Sequence, residues 1–403
     1  MGDSMTQIDA SEDLEGTDFG LLPAQGQELV GFHEILHRIR STRPVCPVRQ
    51  GGQPAWVITR YDHVQEVFRN EVDFPSAVAY RAAVEEVMGT TLQCMEGEQH
   101  RVNRALVSPA FRANVVPRYV EPILRPLAHR LVDELLAAGE ADLVRDYTHR
   151  YPFVVIAELL GLPRDAETDE TFSRWALGLL NSSWDPQGAR QVSAEFTAFL
   201  APLLEQRRRQ PGDDLVSMLV HAEVEGERLT DEEIYSFLRL LFPAGADTTY
   251  LGLGNLLYAL LLHPDAMAGV RAVPDDRRWA MEEALRWESP VALLPRICTA
   301  DTQLGGETIP AMTPILLGIS PANRDPEVFA DPDRFDLDRR PQGHLTFGFG
   351  VHFCLGAHLA RTEIAVSLDV LLDRLPNLRL TDEPRIIGAI LRGPQSLPVT
   401  FDT

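Results

Sequence analysis

A single cysteine stands in a run of aromatic residues and glycines just before an amphipathic pattern. The run, residues 347–356, reads Phe-Gly-Phe-Gly-Val-His-Phe-Cys-Leu-Gly, and its cysteine is Cys354. Apolar residues at helical spacing over 355–372 predict a helix that begins directly after it. At a helix N-terminus the dipole and unpaired N–H groups favour a thiolate, the form that binds metal, and the glycines let the backbone approach a large flat group. The run therefore predicts a metal-binding cysteine.

The other possible ligands favour haem iron over zinc. Cys46, Cys94 and Cys298 are scattered, and no CxxC pair or clustered histidine pair could complete a tetrahedral zinc site. Taken alone, Cys354 would be an ordinary buried thiol, so the surrounding run carries the argument. The same scatter argues against a disulfide framework and favours a reducing cytoplasm.

Composition excludes several classes of partner. The 59 acidic and 37 basic residues give a net charge of -22, which argues against nucleic acid and anionic membranes. Residues 1–20 are polar and acidic, lack the features of a signal or anchor, and are expected to form a disordered tail before one catalytic domain, 21–403. The longest apolar stretch, near 251–262, is too short to cross a bilayer. We therefore expect a cytoplasmic protein without a membrane anchor.

Hydrophobic periodicity predicts a mainly α protein with a small β region. The candidate helices are 61–68, 99–110, 115–138, 152–160, 194–210, 230–262 and 276–287, and the candidate strands are 55–59 and 313–318.

The longest helix, 230–262, carries the second chemical feature. Thr230 and Glu233 form a capping-box pattern at its start. Pro243 and the hydroxyl of Thr248 should distort the helix in its middle. Asp247 and Thr248 there place a carboxylate beside a hydroxyl, which suits proton transfer, although such a pair is more often structural or solvent-facing.

Three motifs together resemble one family. Phe347, Gly350, Cys354 and Gly356 match Phe-x-x-Gly-x-x-x-Cys-x-Gly, the haem-ligand signature of the cytochrome P-450 family. The run Ala-Gly-x-Asp-Thr at 244–248 resembles the family's acid and alcohol pair. The Glu-x-x-Arg element is matched at 283–286. The chain thus resembles a bacterial haem-thiolate monooxygenase, which implies a long central helix lying over haem b.

The resemblance implies a role for each matching residue. Cys354 would ligate the iron, Thr248 would hydrogen-bond bound oxygen, and Asp247 would feed protons to it. The other implied cofactor-binding residues are His100, Arg104, Arg296, Phe347, His352, Gly356, Ala244 and Gly245. A structural network would consist of Glu283, Arg286 and Arg334.

The resemblance also implies substrate and partners. The pocket would be lined by Leu241, Ala244, Val291, Leu294 and Ile390, and would take a hydrophobic molecule such as a terpenoid, steroid, fatty acid or aromatic compound. With O2 as cosubstrate, a monomer would receive electrons from NAD(P)H through a ferredoxin reductase and an iron-sulfur ferredoxin. The ferredoxin could dock at Arg101, Arg112 and Arg361. The alternatives are a peroxide-driven hydroxylase, a non-catalytic haem sensor or carrier, and a scaffold without cofactor.

Overall fold

Helices dominate the structure, a computed structural model that describes residues 14–20, 29–162, 166–183 and 185–402. The α-helices are α1 Phe32–Thr42, α2 Tyr61–Arg69, α3 Ser76–Tyr80, α4 Glu86–Met88, α5 Gly97–Val107, α6 Arg125–Ala138, α7 Arg150–Leu159, α8 Ala166–Leu180, α9 Pro186–Arg209, α10 Leu215–His221, α11 Asp231–Leu262, α12 Pro264–Ala272, α13 Arg277–Trp287, α14 Ile319–Ala322 and α15 Ala357–Arg374. The strands are β1 Val45–Gln50, β2 Gln53–Ile58, β3 Glu140–Asp142, β4 Leu293–Cys298, β5 Thr302–Leu304, β6 Glu307–Ile309, β7 Thr313–Gly318, β8 Arg379–Leu380, β9 Ile386–Ile387, β10 Gly393–Pro394 and β11 Pro398–Thr400. No helix in the described ranges is long and apolar enough to cross a membrane.

The largest sheet joins the two predicted strands. Its order is β1-β2-β7-β4, in which β2 and β7 are parallel and the other pairs are antiparallel. Val57 pairs with Leu316, so residues 259 positions apart in sequence are held in register at the centre of this sheet. β4 carries Arg296 at the sheet edge opposite Ile315.

Most predicted helices are confirmed with shifted ends, and one is wrong over its first ten residues. The predicted helix 115–138 begins as short 3-10 and π turns over Val116–Leu124, and α6 itself starts only at Arg125. The late start of the α-helix is explained by three prolines, because proline lacks an N–H and clashes with the preceding turn. They are Pro117, Pro122 and Pro126.

α11 runs unbroken through the centre of the fold. Both capping-box bonds are present: the N–H of Glu233 donates to the Thr230 hydroxyl at 3.3 Å, and the N–H of Thr230 donates to the Glu233 carboxylate at 2.8 Å. The helix continues through Pro243. The expected hydrogen bond from the Thr248 hydroxyl to its own helix backbone is present: the hydroxyl donates to the Ala244 carbonyl at 2.7 Å.

Part of the predicted disordered tail, 1–20, lies within the described residues. Residues 1–13 lie outside the described residues, but 14–20 pack on the sheet. The Asp18 carboxylate accepts the N–H groups of Gly51 at 2.8 Å and Gly52 at 2.6 Å, and Phe19 is buried. The turn between β1 and β2 needs an acceptor for these N–H groups, and Asp18 supplies it.

The main hydrophobic core surrounds α11. It is built with α6, α7, α13 and α15, while a second cluster lies between the large sheet and α2, and a third joins α1 to the other face of that sheet. A large cavity lies beside α11, between it and the segment that carries Cys354.

Candidate active site

The cavity joins the residues that the motifs predicted from distant parts of the chain. Ala244, Thr248, Arg296, Phe347 and Cys354 all line it. Its interior leaves about 290 Å³ for the centres of water-sized molecules, against roughly 10–15 Å³ that one water needs. The cavity is therefore a site for large ligands.

Cys354 lies just outside a helix rather than at its first turn. It follows the 3-10 turn Gly350–His352, and α15 begins at Ala357 with Gly356 as N-cap. The Cys354 N–H donates to the Phe347 carbonyl at 2.8 Å, which fixes the loop. The predicted helix start at 355 is thus two residues early.

The thiol is accessible from the cavity and enclosed by protein on its other sides. Burial raises the pKa of the Cys354 thiol, and the Gly356 N–H, Arg104 and Arg361 act against that rise without reversing it. The Gly356 N–H thus favours the thiolate, as predicted, but burial outweighs its effect on the pKa of Cys354. A thiolate at this position needs a cationic ligand such as a metal ion.

The glycines around Cys354 serve two different purposes. Gly350 has φ of 76°, and a Cβ there would lie 3.0 Å from the Phe68 carbonyl oxygen, so the fold itself requires glycine. Gly356 has φ of -83°, and a Cβ there would meet no protein atom within 4 Å. Neither backbone nor packing explains Gly356, whereas a flat group lying over this segment of the cavity does.

Four of the predicted cofactor-binding residues line the same cavity: His100, Arg104, Arg296 and His352. The His100 Nε2 and Arg296 Nε atoms are buried without a hydrogen-bond partner, and Arg296 is only 3% exposed. The rings of His100 and His352 lie 4.3 Å apart. Burial, followed by His352 and Arg104, lowers the pKa of His100 to about 4. Buried polar groups without partners are costly, so this end of the cavity fits the carboxylates of a ligand such as haem.

Two contacts in this group were not predicted. The Arg104 guanidinium donates to the Phe353 carbonyl at 2.5 Å, which ties α5 to the residue before Cys354. Glu71 lies 3.5 Å from His352, between their Oε2 and Nε2 atoms. No local motif marks Glu71, which reaches the site through the loop after α2.

Asp247 and Thr248 occupy different environments despite being adjacent. Thr248 lines the cavity with Ala244 and Gly245, whereas the Asp247 side chain is buried beside it and its Oδ1 has no partner. Burial raises the pKa of Asp247 to about 7. A Cβ on Gly245 would lie 2.9 Å from the Ile156 side chain, so this glycine permits close packing of α7.

The third side chain that contacts the buried Glu283 and Arg286 pair is Arg339, and not the predicted Arg334. Both side chains are 0% exposed, and Arg286 binds both carboxylate oxygens at 2.7 and 2.8 Å. Arg339 donates to Glu283 at 3.0 Å. Arg334 has an exposed side chain and offers only its carbonyl, to Arg286 and Arg339. Its assignment to the network as a charged member is wrong, because its side chain turns outward.

The predicted substrate-pocket residues fall into the cavity wall with one exception. Leu241, Ala244, Val291 and Leu294 line the cavity. Ile390 does not, because its carbonyl accepts the Ala292 N–H at 2.8 Å and its side chain packs on the cluster around α1. The wall also contains residues that no pattern singled out individually: Tyr80, Gln93, Phe111, Ile156 and Phe237.

Two of the three predicted docking arginines already have partners. Arg101 binds Glu98 and Glu225 on the surface, and Arg361 binds Glu282 and lies 4.1 Å from the centre of the Phe347 ring. Arg112 is exposed. Near Cys354, Val351 and Phe353 are 57% and 41% exposed.

The fold and this site define a class of protein: a helical domain in which one accessible thiol, two arginines and two histidines face a mainly apolar cavity. The family model for cytochrome P-450 matches residues 19–272 and 278–397. The chain belongs to the cytochrome P-450 family, whose members are haem-iron oxidoreductases.

Individual relatives agree with this assignment. The chain is 34% identical to 6-deoxyerythronolide B hydroxylase of Saccharopolyspora erythraea, over 93% of this chain and 96% of that protein. It is 36% identical to steroid C26-monooxygenase of Mycolicibacterium smegmatis, over 98% of each. The solved structure of the cytochrome CYP109Q5 from Chondromyces apiculatus superposes with a TM-score of 0.87 at 33% identity, covering 97% of this chain and 99% of that one.

Proposed function

We propose that this chain is a haem-thiolate monooxygenase that inserts one atom of O2 into an unactivated C–H bond of a bulky hydrophobic molecule. The observation that supports this most is the single cavity that brings the Cys354 thiol and the apolar wall of Leu241, Val291 and Leu294 together. The relatives named 6-deoxyerythronolide B hydroxylase and steroid C26-monooxygenase support a bulky apolar substrate. Terpenoids, fatty acids and aromatic compounds share the same apolar character.

The residues that would hold haem b are those that line the cavity with unmet bonding capacity. Cys354 would supply the thiolate ligand, and His100, Arg104, Arg296 and His352 would bind its carboxylates. When bound, haem would supply the activation of O2 and the transfer of electrons. Gly356 would leave room for haem, and Phe347, with the Arg361 guanidinium over its ring, would help to shield the sulfur from water.

Proton delivery is the contribution of α11. The Thr248 hydroxyl donates its own proton to the Ala244 carbonyl, so its oxygen is left to accept a hydrogen bond from a molecule in the cavity. Asp247 holds a proton on a buried carboxyl whose pKa is about 7, close to the pH at which an acid catalyst is most effective. We propose that the pair passes protons to the cavity from the side of the helix.

Electron supply is proposed to come from NAD(P)H through a ferredoxin reductase and a ferredoxin, to a monomer in the cytoplasm. The exposed Val351 and Phe353 beside Cys354, with Arg112, suit a partner that docks near the thiolate through apolar contacts and an acidic rim.

The test is reconstitution with NADPH, a ferredoxin and its reductase, after a spectral screen of steroids, macrolactones, terpenoids, fatty acids and aromatic compounds. We expect a spin-state shift with apolar ligands and a product that carries one oxygen atom from isotopically labelled O2. Binding confined to polar, charged ligands would contradict the substrate class. Turnover with hydrogen peroxide but not with the ferredoxin chain would favour the peroxide-driven alternative.

A further inference from the structure

A buried ionic cluster lies outside the cavity, where the N-terminal helix meets the cavity wall. Glu288, the residue after α13, accepts hydrogen bonds from His33 of α1 at 2.8 Å and from Arg392 at 2.9 Å. The side chains of Glu288, Arg392 and His33 are 3%, 7% and 19% exposed. Burial, followed by Arg324, lowers the pKa of His33 to about 4. At neutral pH, His33 is thus an uncharged donor, and Arg392 balances the charge of Glu288.

The cluster also fixes the main chain on both sides of it. The Asn255 amide of α11 donates to the carbonyls of Glu288 at 2.8 Å and Arg392 at 3.1 Å. The Arg392 guanidinium donates to the Gly388 carbonyl at 3.0 Å and lies 4.2 Å from the centre of the Phe32 ring of α1. The segments 288–294 and 388–392 are therefore joined to α1 through one carboxylate and one guanidinium, and to α11 through the Asn255 amide.

These two segments are in turn bonded to each other at the cavity. The Arg392 N–H donates to the Pro290 carbonyl at 2.9 Å, and the Ala292 N–H donates to the Ile390 carbonyl at 2.8 Å. Val291 forms a bridge with Leu391 between these bonds. Pro290 and Val291 line the cavity directly. The position of this wall thus depends on side chains that no ligand in the cavity touches.

We propose that Glu288, held by His33 and Arg392, is a positioning residue that sets the cavity wall at Pro290 and Val291, so that the N-terminal helix limits which substrates fit. The claim about substrates rests on the proposed monooxygenase function, whereas the claim that Glu288 positions the wall does not. A cluster that only stabilised the fold would leave the local mobility of the wall and ligand selectivity unchanged.

His33 is the residue to change, because loss of Glu288 would strand a buried guanidinium and could unfold the protein. In His33→Ala the Glu288–Arg392 bond and the contact of Arg392 with Phe32 are retained, and only the hydrogen bond from α1 to Glu288 is lost. His33→Gln keeps an amide donor for Glu288 and should restore the link. The matched control is His37→Ala, one turn along the same helix, where the exposed ring contacts Arg40 at 3.0 Å and not the cluster.

Hydrogen exchange measured on the purified protein tests the wall directly. We expect His33→Ala to speed exchange of peptides that contain the Ala292 and Arg392 amides by about 3- to 10-fold, the effect of losing one hydrogen bond. In the same variant, peptides from the centre of α11 should exchange as they do in the wild type. In His37→Ala and His33→Gln, the peptides of the wall should also exchange at the wild-type rate. Equal exchange of the wall in His33→Ala and His37→Ala would overturn the proposal.

Two azole probes test the effect on ligands. Imidazole and 4-phenylimidazole are both ligands of haem iron, and they differ by one apolar ring, which is the part that would meet an apolar wall. We expect His33→Ala to change the dissociation constant of 4-phenylimidazole by about 3- to 10-fold and to leave that of imidazole unchanged. Equal values for both ligands in His33→Ala and the control would refute the selectivity role. Failure of the wild type to take up haem would refute the proposed function instead. The hydrogen-exchange result would still test whether Glu288 positions the wall.

Discussion

Arg339 donates to Glu283 across 3.0 Å, which adds a second guanidinium to a carboxylate that already binds Arg286 within a fully buried pair. The Arg286 guanidinium also donates to the carbonyls of Asn323, Pro332 and Arg334. One ion pair on α13 therefore anchors the long loop between α14 and the Cys354 segment.

This arrangement predicts unequal effects for the two loop arginines. Arg339→Ala should lower the free energy of unfolding by about 1.5–3 kcal/mol, because it removes a charge-assisted bond to a buried carboxylate. Arg334→Ala, the matched control, should change it by less than about 0.5 kcal/mol, because that side chain is exposed. Urea unfolding of the two variants makes the comparison, and equal losses would contradict the network described here.

Asp247 predicts a pH-dependent stability with a defined sign. Its pKa is raised from 3.8 to about 7 in the folded protein, so the folded state binds the proton more tightly than the unfolded state. The contribution of Asp247 to the free energy of unfolding should therefore fall as pH rises from about 4 to about 7. In Asp247→Asn this loss is absent. The free energy of unfolding of the variant, relative to that of the wild type, should therefore rise by up to about 4 kcal/mol between pH 4 and pH 8. Unfolding free energies of both proteins across this range test it, and a constant difference would show that the carboxyl is not buried as described.

Thr248 should matter for coupling and not for cofactor retention. Thr248→Ala removes a hydroxyl that faces the cavity, so haem content should be unchanged while more of the NADPH consumed appears as hydrogen peroxide, several-fold above the wild type. Thr248→Ser keeps the hydroxyl and is the control. The ratio of peroxide to product measures the effect, and full coupling in Thr248→Ala would remove the role assigned to this hydroxyl.

Arg296 should hold haem through its carboxylates. Arg296→Gln removes the buried charge whose Nε has no protein partner, and haem transfer to apomyoglobin should become about 10-fold faster, as expected for the loss of a charge-assisted hydrogen bond. Arg334→Gln serves as a control on an exposed arginine. An unchanged transfer rate in Arg296→Gln would place the haem carboxylates elsewhere.

What the sequence predicts well depends on short spacings. Glu283 and Arg286 are neighbours on one helical turn, and the Phe347 to Gly356 motif folds as one loop, so local patterns place these residues correctly. The strand 313–318 is also confirmed at both ends.

The errors occur where a long loop or a distant segment decides the geometry. Arg334 and Arg339 are both charged and close in sequence, and only the course of a loop with positive φ at Asp331 and Arg340 determines which one reaches Glu283. Ile390 lies outside the cavity wall because its side chain packs on the cluster around α1, which is near the other end of the chain. Periodicity and motif carry no information on such packing.

The reduced carbon monoxide spectrum of the purified protein tests the central claim, that Cys354 is a thiolate ligand to haem in this cavity. The wild type should show the thiolate-type carbonyl band, Cys298→Ala should keep it because that thiol is buried in the second core cluster, and Cys354→Ala should lose it. A Cys354→Ala protein that retains the band would show that another residue ligates the iron.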